Sequence, residues 1–285
     1  MAIPNITLSG LTSNNSTSTL AKPGDTVTIT ITTDIYVEQV TVTFNSGDAE
    51  VSGSVTYTGS LPGTSFTASY IVDASDTDGH VTVICTATSE GGGLGISMLD
   101  SLAVEVDTTA QALAITSGAL SNDATPTVSG TAEADATISA VIAGATYATT
   151  ATNGTWSVDT DTATVGSGSL SINTNGNNSV SVTATDSAGN TTTVTQTLVI
   201  DTTGPALAIT SGALSNDATP TVSGTADADA SISAVIAGAT YATTATNGAW
   251  SVDTGTATPS SGTLALNENG NNSVSVTATD SAGNT

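Results

Sequence analysis

The segment SVSVTATDSAGNTTTVTQTLVI (179–200) decides the fold class of this chain. Apolar residues alternate with Ser and Thr in SVSVTATD (179–186) and again in TTVTQTLVI (192–200), which is the two-residue period of a half-buried β-strand. Between them, DSAGN (186–190) consists of residues that favour turns. The segment therefore predicts two β-strands joined by a short turn.

The same pattern covers the rest of the chain. TVTITIT (26–32) and VTVTF (40–44) alternate in the same way, and clusters such as NTNGNN (173–178) predict turns between the strands. No stretch has a convincing helical period of 3.6 residues. About seven short strands per 94 residues, with a turn every 8–12 residues, predict an all-β fold made of β-sandwiches.

An internal repeat sets the domain organisation. Residues 107–191 and 201–285 align at an offset of 201 − 107 = 94 residues, and 85 − 12 = 73 of the 85 aligned positions are identical. Residues 1–106 have a different pattern. The sequence therefore predicts three domains, at 1–106, 107–200 and 201–285. Trp156 and Trp250 occupy matching positions and are predicted core residues.

The second copy has no counterpart of TTVTQTLVI (192–200) before Thr285. We expect the chain to be part of a longer polypeptide that supplies this strand. Donation of the strand by a neighbouring chain is the alternative.

Composition excludes several classes of function. The 285 residues contain 25 Asp and Glu but one cation, Lys22, for a formal net charge of −24. Binding to nucleic acid or anionic lipid requires clustered Lys and Arg, which the chain lacks. No apolar run approaches the length of a membrane span. With one Cys (Cys85) and one His (His80), the chain has no internal disulfide and no His-based catalytic centre in its repeats, and so we expect no enzymatic activity.

Motifs in all three segments resemble a known family. NDATPTVSGTAEADATI (122–138), WSV (156–158) and VTATDSAGNT (182–191) look like the bacterial Ig-like tandem repeats that form the extender regions of giant surface adhesins and also occur in phage virion proteins. SNNSTSTLAKPGDTVTITI (13–31) and ASYIVDASDTDGHVTV (68–83) resemble a sister repeat type. The resemblance implies tandem immunoglobulin-like β-sandwich domains in an extended rod, no enzymatic activity, and calcium between domains.

Coordination chemistry supports the calcium hypothesis separately. In an immunoglobulin-type sandwich the chain entry, the BC loop and the FG loop share one pole. Carboxylates gathered there repel one another unless a cation neutralises them, and Ca²⁺ accepts six to eight oxygen ligands. The alternative is that these Asp residues only form soluble turns. The candidate ligands are Asp107, Glu133, Asp135 and Asp186 at the first junction, with Asp73, Asp76 and Asp78 from the first domain, and Asp201, Asp227, Asp229 and Asp280 at the second.

The sequence favours a non-enzymatic, calcium-stiffened stalk that projects a binding region from a cell surface, in a large bacterial adhesin. Its expected location is extracellular, and its expected partners are the rest of a longer polypeptide and surface glycans or proteins bound by other regions. The alternative is a fibre or decoration protein on a phage virion, which Met1 directly before a β-domain would suit. A carbohydrate-binding module ranks third, because only nine aromatic residues are present (Tyr 5, Phe 2, Trp 2).

Overall fold

A computed structural model describes residues 2–285, without the side chain of Ser101. The described residues form 24 β-strands and no helix, and so none of them belongs to a helix that could cross a membrane. The buried apolar residues form three separate clusters, within 6–106, 128–200 and 222–278. The chain is therefore all-β, as the alternation predicts.

The first domain is a sandwich whose two layers share one long strand. Its strands are β1 (Ile6–Ser13), β2 (Leu20–Ala21), β3 (Thr26–Ser46), β4 (Ala49–Glu50), β5 (Thr56–Thr58), β6 (Gly63–Ile71), β7 (Gly79–Ser89) and β8 (Leu94–Val106). The first part of β3 pairs with β1 and β6, and its last part pairs with β7 and β4. The predicted strands 26–32 and 40–44 are thus one 21-residue strand, which changes partners through register shifts between Thr32 and Gln39.

The second domain has two separate sheets. Its strands are β9 (Leu113–Ile115), β10 (Leu120–Ser121), β11 (Thr127–Ala132), β12 (Thr137–Ile142), β13 (Ala145–Thr150), β14 (Thr155–Asp159), β15 (Val165–Gly168), β16 (Asn175–Thr185) and β17 (Thr191–Asp201). One sheet has the order β10-β17-β16-β12-β13-β15 and the other β14-β11-β9. This is immunoglobulin-like topology, with β16 and β17 as the hairpin that the sequence predicts.

The third domain repeats this arrangement with fewer strands. They are β18 (Leu207–Ile209), β19 (Thr221–Ala226), β20 (Ser231–Ile236), β21 (Ala239–Thr244), β22 (Ala249–Asp253), β23 (Ser261–Gly262) and β24 (Val274–Thr279). β24 pairs with β20 along one edge, and its other edge has no partner strand within residues 2–285. Val274 is 38% exposed, whereas its counterpart Val180, covered by β17, is 3% exposed.

Each repeat core is built around one Tyr and one Trp. Tyr147 and Trp156 are buried in the second domain, and Tyr241 and Trp250 are buried in the third, so the prediction that both Trp residues are core is confirmed. Cys85 is fully buried on β7, and burial raises the pKa of its thiol to about 11.

Candidate functional site: the two domain junctions

Each junction begins with the same Asp-Thr-Thr linker in the same local conformation. The backbone N–H of Thr109 donates to Asp107 Oδ1 at 3.0 Å, and that of Thr203 donates to Asp201 Oδ1 at 3.0 Å. This is the Asx turn that a short carboxylate side chain readily forms. The first three residues of both linkers therefore form the same local turn.

The domain that precedes each linker accepts hydrogen bonds from it through one side chain. At the first junction, Asp78 Oδ1 accepts hydrogen bonds from Thr108 N at 2.6 Å and Thr108 Oγ1 at 2.7 Å, and Asp78 Oδ2 accepts one from Thr109 Oγ1. The loop between β6 and β7 carries Asp78.

At the second junction the residue that accepts these hydrogen bonds is Asn175, the first residue of β16. Its Oδ1 accepts from Thr202 N at 3.1 Å and from Thr203 Oγ1 at 2.8 Å. The two Thr residues of each linker thus donate to one side chain of the preceding domain, which is a carboxylate at the first junction and an amide at the second.

The domain that follows each linker also donates a hydrogen bond to it. Asn190 Nδ2, in the β16–β17 loop, donates to the carbonyl oxygen of Asp107 at 2.9 Å and to Asp186 Oδ2 at 3.0 Å. Asn284 Nδ2 donates in the same way to the carbonyl oxygen of Asp201 and to Asp280 Oδ2, both at 2.8 Å. Each linker is therefore clamped by both domains that it joins.

The first junction has additional contacts between its two domains. Asn15 Nδ2 donates to the carbonyl oxygen of Ala188 at 2.8 Å and to Asp25 Oδ2 at 2.6 Å. The aliphatic stem of Lys22 lies against Gly189, so Lys22 is half-buried rather than freely exposed. As a result, Ala188 is only 2% exposed.

The second junction is more open at the equivalent point. Ala282, the counterpart of Ala188, is partly exposed, and Gly283 lies near the side chain of Asn122 instead of a lysine.

The negatively charged carboxylates at the first junction repel one another. Partial burial raises the pKa of Asp107, and the nearby carboxylates of Asp186, Asp78 and Glu105 raise it further, against one hydrogen bond from the Thr109 N–H. Partial burial also disfavours ionised Asp78, but the hydrogen bonds from Thr109 and Thr108 outweigh it and hold the pKa of Asp78 below its ordinary value. The Asp107 carboxylate is therefore the strained charge of this cluster.

At the second junction, Asp280 is stabilised in its ionised form. The hydrogen bond from the Asn284 side chain, together with backbone N–H groups of its own loop, lowers the pKa of Asp280. Asn175 contributes no charge where Asp78 contributes one, and Val199 stands two residues before Asp201, where Glu105 stands two residues before Asp107.

The structure places the predicted ligands in three groups. Asp78, Asp107 and Asp186 meet at the first junction, as Asp201 and Asp280 meet at the second. Glu133 and Asp227 bind the start of their own domains, accepting hydrogen bonds from Ala112 N at 3.2 Å and from Ala206 N at 3.1 Å.

The remaining predicted ligands serve their own turns. Asp76 is buried and accepts hydrogen bonds from Ser52, and Asp73 accepts them from Ser75, which lowers the pKa of Asp73. Asp135 and Asp229 adopt positive φ angles of 67° and 66° in the tight turns after β11 and β19.

Within residues 2–285, no three carboxylate, imidazole or thiol groups lie close enough together to hold a metal ion as they are placed. Three buried oxygens among the described residues lack a hydrogen-bond partner, namely Tyr70 OH, Tyr147 OH and Gln111 Oε1. Oε1 of Gln111 is buried and accepts no hydrogen bond, while Nε2 of the same amide donates to Glu133 Oε2 at 3.2 Å. Carboxylate oxygens are ligands that Ca²⁺ accepts, so the side chains of Asp78, Asp107 and Asp186 suit calcium by their chemistry, although they are not close enough together to hold it as they are placed.

Sequence reasoning missed the amide side chains of the junctions, namely Asn15, Gln111, Asn175, Asn190 and Asn284. The retained Asn at the end of both DSAGN loops was an available signal. Asn15 and Gln111 have no equivalent signal, because Gln111 is replaced by Pro205 in the second copy.

No protein-family model matches the chain, and no curated protein matches it in sequence. Similar solved structures include a tetra-tandem repeat in the extending region of a large adhesion protein, at 22% identity over 97% of this chain and 74% of that chain, with a TM-score of 0.30. The ICAM-5 D1–D4 ectodomain fragment matches at 14% identity over 96% of this chain and 74% of that chain, with a TM-score of 0.32. Chicken CNTN1 FN1–FN3 matches at 11% identity over 98% and 93%, with a TM-score of 0.32. These identities and scores are low, and so no function is transferred from these proteins.

Proposed function

We propose that the chain is a non-enzymatic stalk segment of a large extracellular bacterial adhesin, in which successive Ig-like domains hold a binding region away from the cell surface. The observation that carries this proposal is the linker clamp. Both Asp-Thr-Thr linkers are hydrogen-bonded by the domain before and by the domain after, through equivalent positions. Short linkers held from both sides restrict bending between domains, which is what a spacer requires.

The side chains available for chemistry support a non-enzymatic role. Cys85 is buried with a raised pKa, so it is a poor nucleophile. His80 is exposed on β7 and pairs through the backbone with Glu105. Near-identical domains in tandem also suit a spacer, which works by repetition, better than a catalytic site.

The proposal includes calcium at the first junction. Asp78, Asp107 and Asp186 would supply carboxylate oxygens, and a bound ion would have to draw them closer together than they lie without it. A bound Ca²⁺ would neutralise the repulsion that raises the pKa of Asp107 and would hold the two domains together. The second junction offers Asp201 and Asp280, with Asn175 in place of a third carboxylate.

Calorimetry of the chain in calcium and in chelator tests whether it binds Ca²⁺. We expect Ca²⁺ to raise the unfolding temperature, Mg²⁺ to raise it much less, and Asp186→Asn to reduce the response. The matched variant Asp217→Asn, in an exposed turn of the third domain, should respond like the unmodified chain. Identical unfolding temperatures in calcium and chelator would remove the metal but leave the stalk proposal standing.

Electron microscopy of the native source, labelled with an antibody against the 94-residue repeat, tests the stalk itself. Label on long filaments that leave a cell envelope would support the adhesin. Label on virus heads or tails would replace it with a virion fibre.

A further inference from the structure

The outer face of the β7–β8 hairpin in the first domain is apolar. Leu94, Ile96 and Met98 follow one another on the outward side of β8, and Ile84 lies beside Met98 on β7. All four are exposed, and Ile96 is 67% exposed. An exposed apolar patch of this kind marks an interaction surface more often than a chance cluster of single residues does.

The equivalent face of the second domain has a different chemistry. The outward residues of β17 there are Thr193, Thr195 and Thr197, opposite Thr183, Ser181 and Ser179 of β16. The apolar face is therefore a property of the first domain and not a requirement of the sandwich, which folds with hydroxyl groups at these positions.

The apolar face also carries no charge, although the chain carries 25 carboxylates. Its neighbours on β7 and β3 are Thr86, Thr88, Thr41 and Thr43, and the first carboxylate along β8 is Asp100, beyond Met98. Two chains with a net charge of −24 repel each other over most of their surface. A flat uncharged face is where two such chains can pack without opposing carboxylates.

We infer that this face, defined by Ile84, Leu94, Ile96 and Met98, binds the same face of a second copy of the chain around a twofold axis. Two antiparallel sheets pack in this way at a separation of about 10 Å, with their side chains interdigitated. The four residues lie on two strands of one domain, so we expect a contact area at the lower end of specific interfaces and a weak, reversible dimer. Stalks anchored side by side would raise the effective concentration of this face, so that a weak contact would still be populated.

Analytical ultracentrifugation of the whole chain in EDTA, over a range of concentrations, tests this inference. We expect a monomer–dimer equilibrium that strengthens as salt is added, because salt screens the repulsion between acidic chains. Ile96→Asp should weaken the dimer at least about 30-fold, since it places a charge at the centre of an apolar contact. The control is Ile71→Asp, which adds the same charge at a 60% exposed Ile on β6, in the other sheet layer, and should leave the dimer unchanged.

Cross-linking supplies an independent readout. Met98→Cys should give a disulfide-linked dimer on mild oxidation, whereas Ile71→Cys should not, and Cys85 is buried in both variants. A chain that stays monomeric at every concentration and salt level would overturn the inference. A dimer that weakens with added salt, or that Ile71→Asp disrupts as strongly as Ile96→Asp, would overturn it too. These outcomes leave the stalk and its calcium untouched, since EDTA is present throughout.

Discussion

Asp107 is the residue at which the linker's conformation and its electrostatics conflict. Its carboxylate fixes the Asx turn by accepting the Thr109 N–H, yet burial and the charges of Asp186, Asp78 and Glu105 raise its pKa. Asparagine could accept the same N–H through its amide oxygen without bearing a charge. The second junction shows such a replacement at another position, where Asn175 accepts the linker N–H that Asp78 accepts at the first junction.

We therefore predict that Asp107→Asn stabilises the metal-free chain at pH 7 by about 0.5 kcal/mol, a small gain because solvent screens this partly exposed group. A raised pKa in the folded state means that ionised Asp107 opposes folding above its pKa and that protonation relieves this as the pH falls. The gain should hence disappear at a pH where Asp107 is protonated in both states. Thermal unfolding in EDTA across this pH range measures it. If calcium binds as proposed, its addition should reverse the sign, because the amide oxygen of Asn lacks the negative charge with which the carboxylate attracts Ca²⁺.

The loops at the junctions act through amide side chains. Asn190 joins the β16–β17 loop to the linker, and its side chain also donates a hydrogen bond to Asp186. Removing a hydrogen-bonding side chain of this kind costs about 1–2 kcal/mol when the partners lose their bonds.

We predict that Asn190→Ala lowers the stability of the second domain by this amount and speeds amide exchange in residues 107–110. Asn284→Ala is the matched change at the second junction, and its effect should fall on residues 201–204. Hydrogen exchange measured by mass spectrometry resolves the two linkers. Unchanged exchange in both variants would mean that the linkers are held by other contacts.

The strand pair at the centre of each repeat core depends on a glycine. Gly130 on β11 faces Trp156 on β14, and a Cβ atom at Gly130 would lie 1.9 Å from the carbonyl oxygen of Ala114 and 2.6 Å from the Trp156 ring. Backbone and a buried indole cannot both move away, so the strands β9 and β11 would have to separate.

We predict that Gly130→Ala destabilises the second domain by about 3 kcal/mol or more. Gly118→Ala is the control, because a Cβ atom there would meet only the carbonyl oxygen of Leu120 at 3.6 Å. Chemical unfolding followed by Trp fluorescence measures both. Equal stabilities of the two variants would show that the sheet absorbs the extra methyl group.

The strands and their loops could be predicted from the sequence, whereas the contacts at the junctions could not. Alternation in residues 179–200 determines which side chains face the core, and that is a local property. Between residues 32 and 40 no Gly or Pro marks a turn, so β3 continues and bends, contrary to the expected pair of strands. Asp76 shows the same limit at a site, because a buried turn Asp and an exposed ligand Asp have the same sequence pattern.

At the scale of the whole chain, the repeats allow one domain to serve as the control for the other. The second and third domains share 73 of 85 aligned residues, yet only the second has β17 beside its central strand. Leu214 is 96% exposed, whereas its counterpart Leu120, which lies on β10 beside Val199, is 41% exposed. The free energy that β17 contributes can therefore be measured within a single molecule.

We predict that the third domain of this chain opens first, with amides of β20 exchanging about 100-fold faster than those of β12. Incomplete burial of Val274 and its neighbours costs about 2–3 kcal/mol, which corresponds to that ratio when exchange follows the opening equilibrium. A chain extended after Thr285 by a copy of residues 192–201 should restore protection to the level of the second domain, and a scrambled extension should not. Equal exchange of β12 and β20 in the unextended chain would contradict the prediction, because the sheet would then gain nothing from the strand that β17 represents.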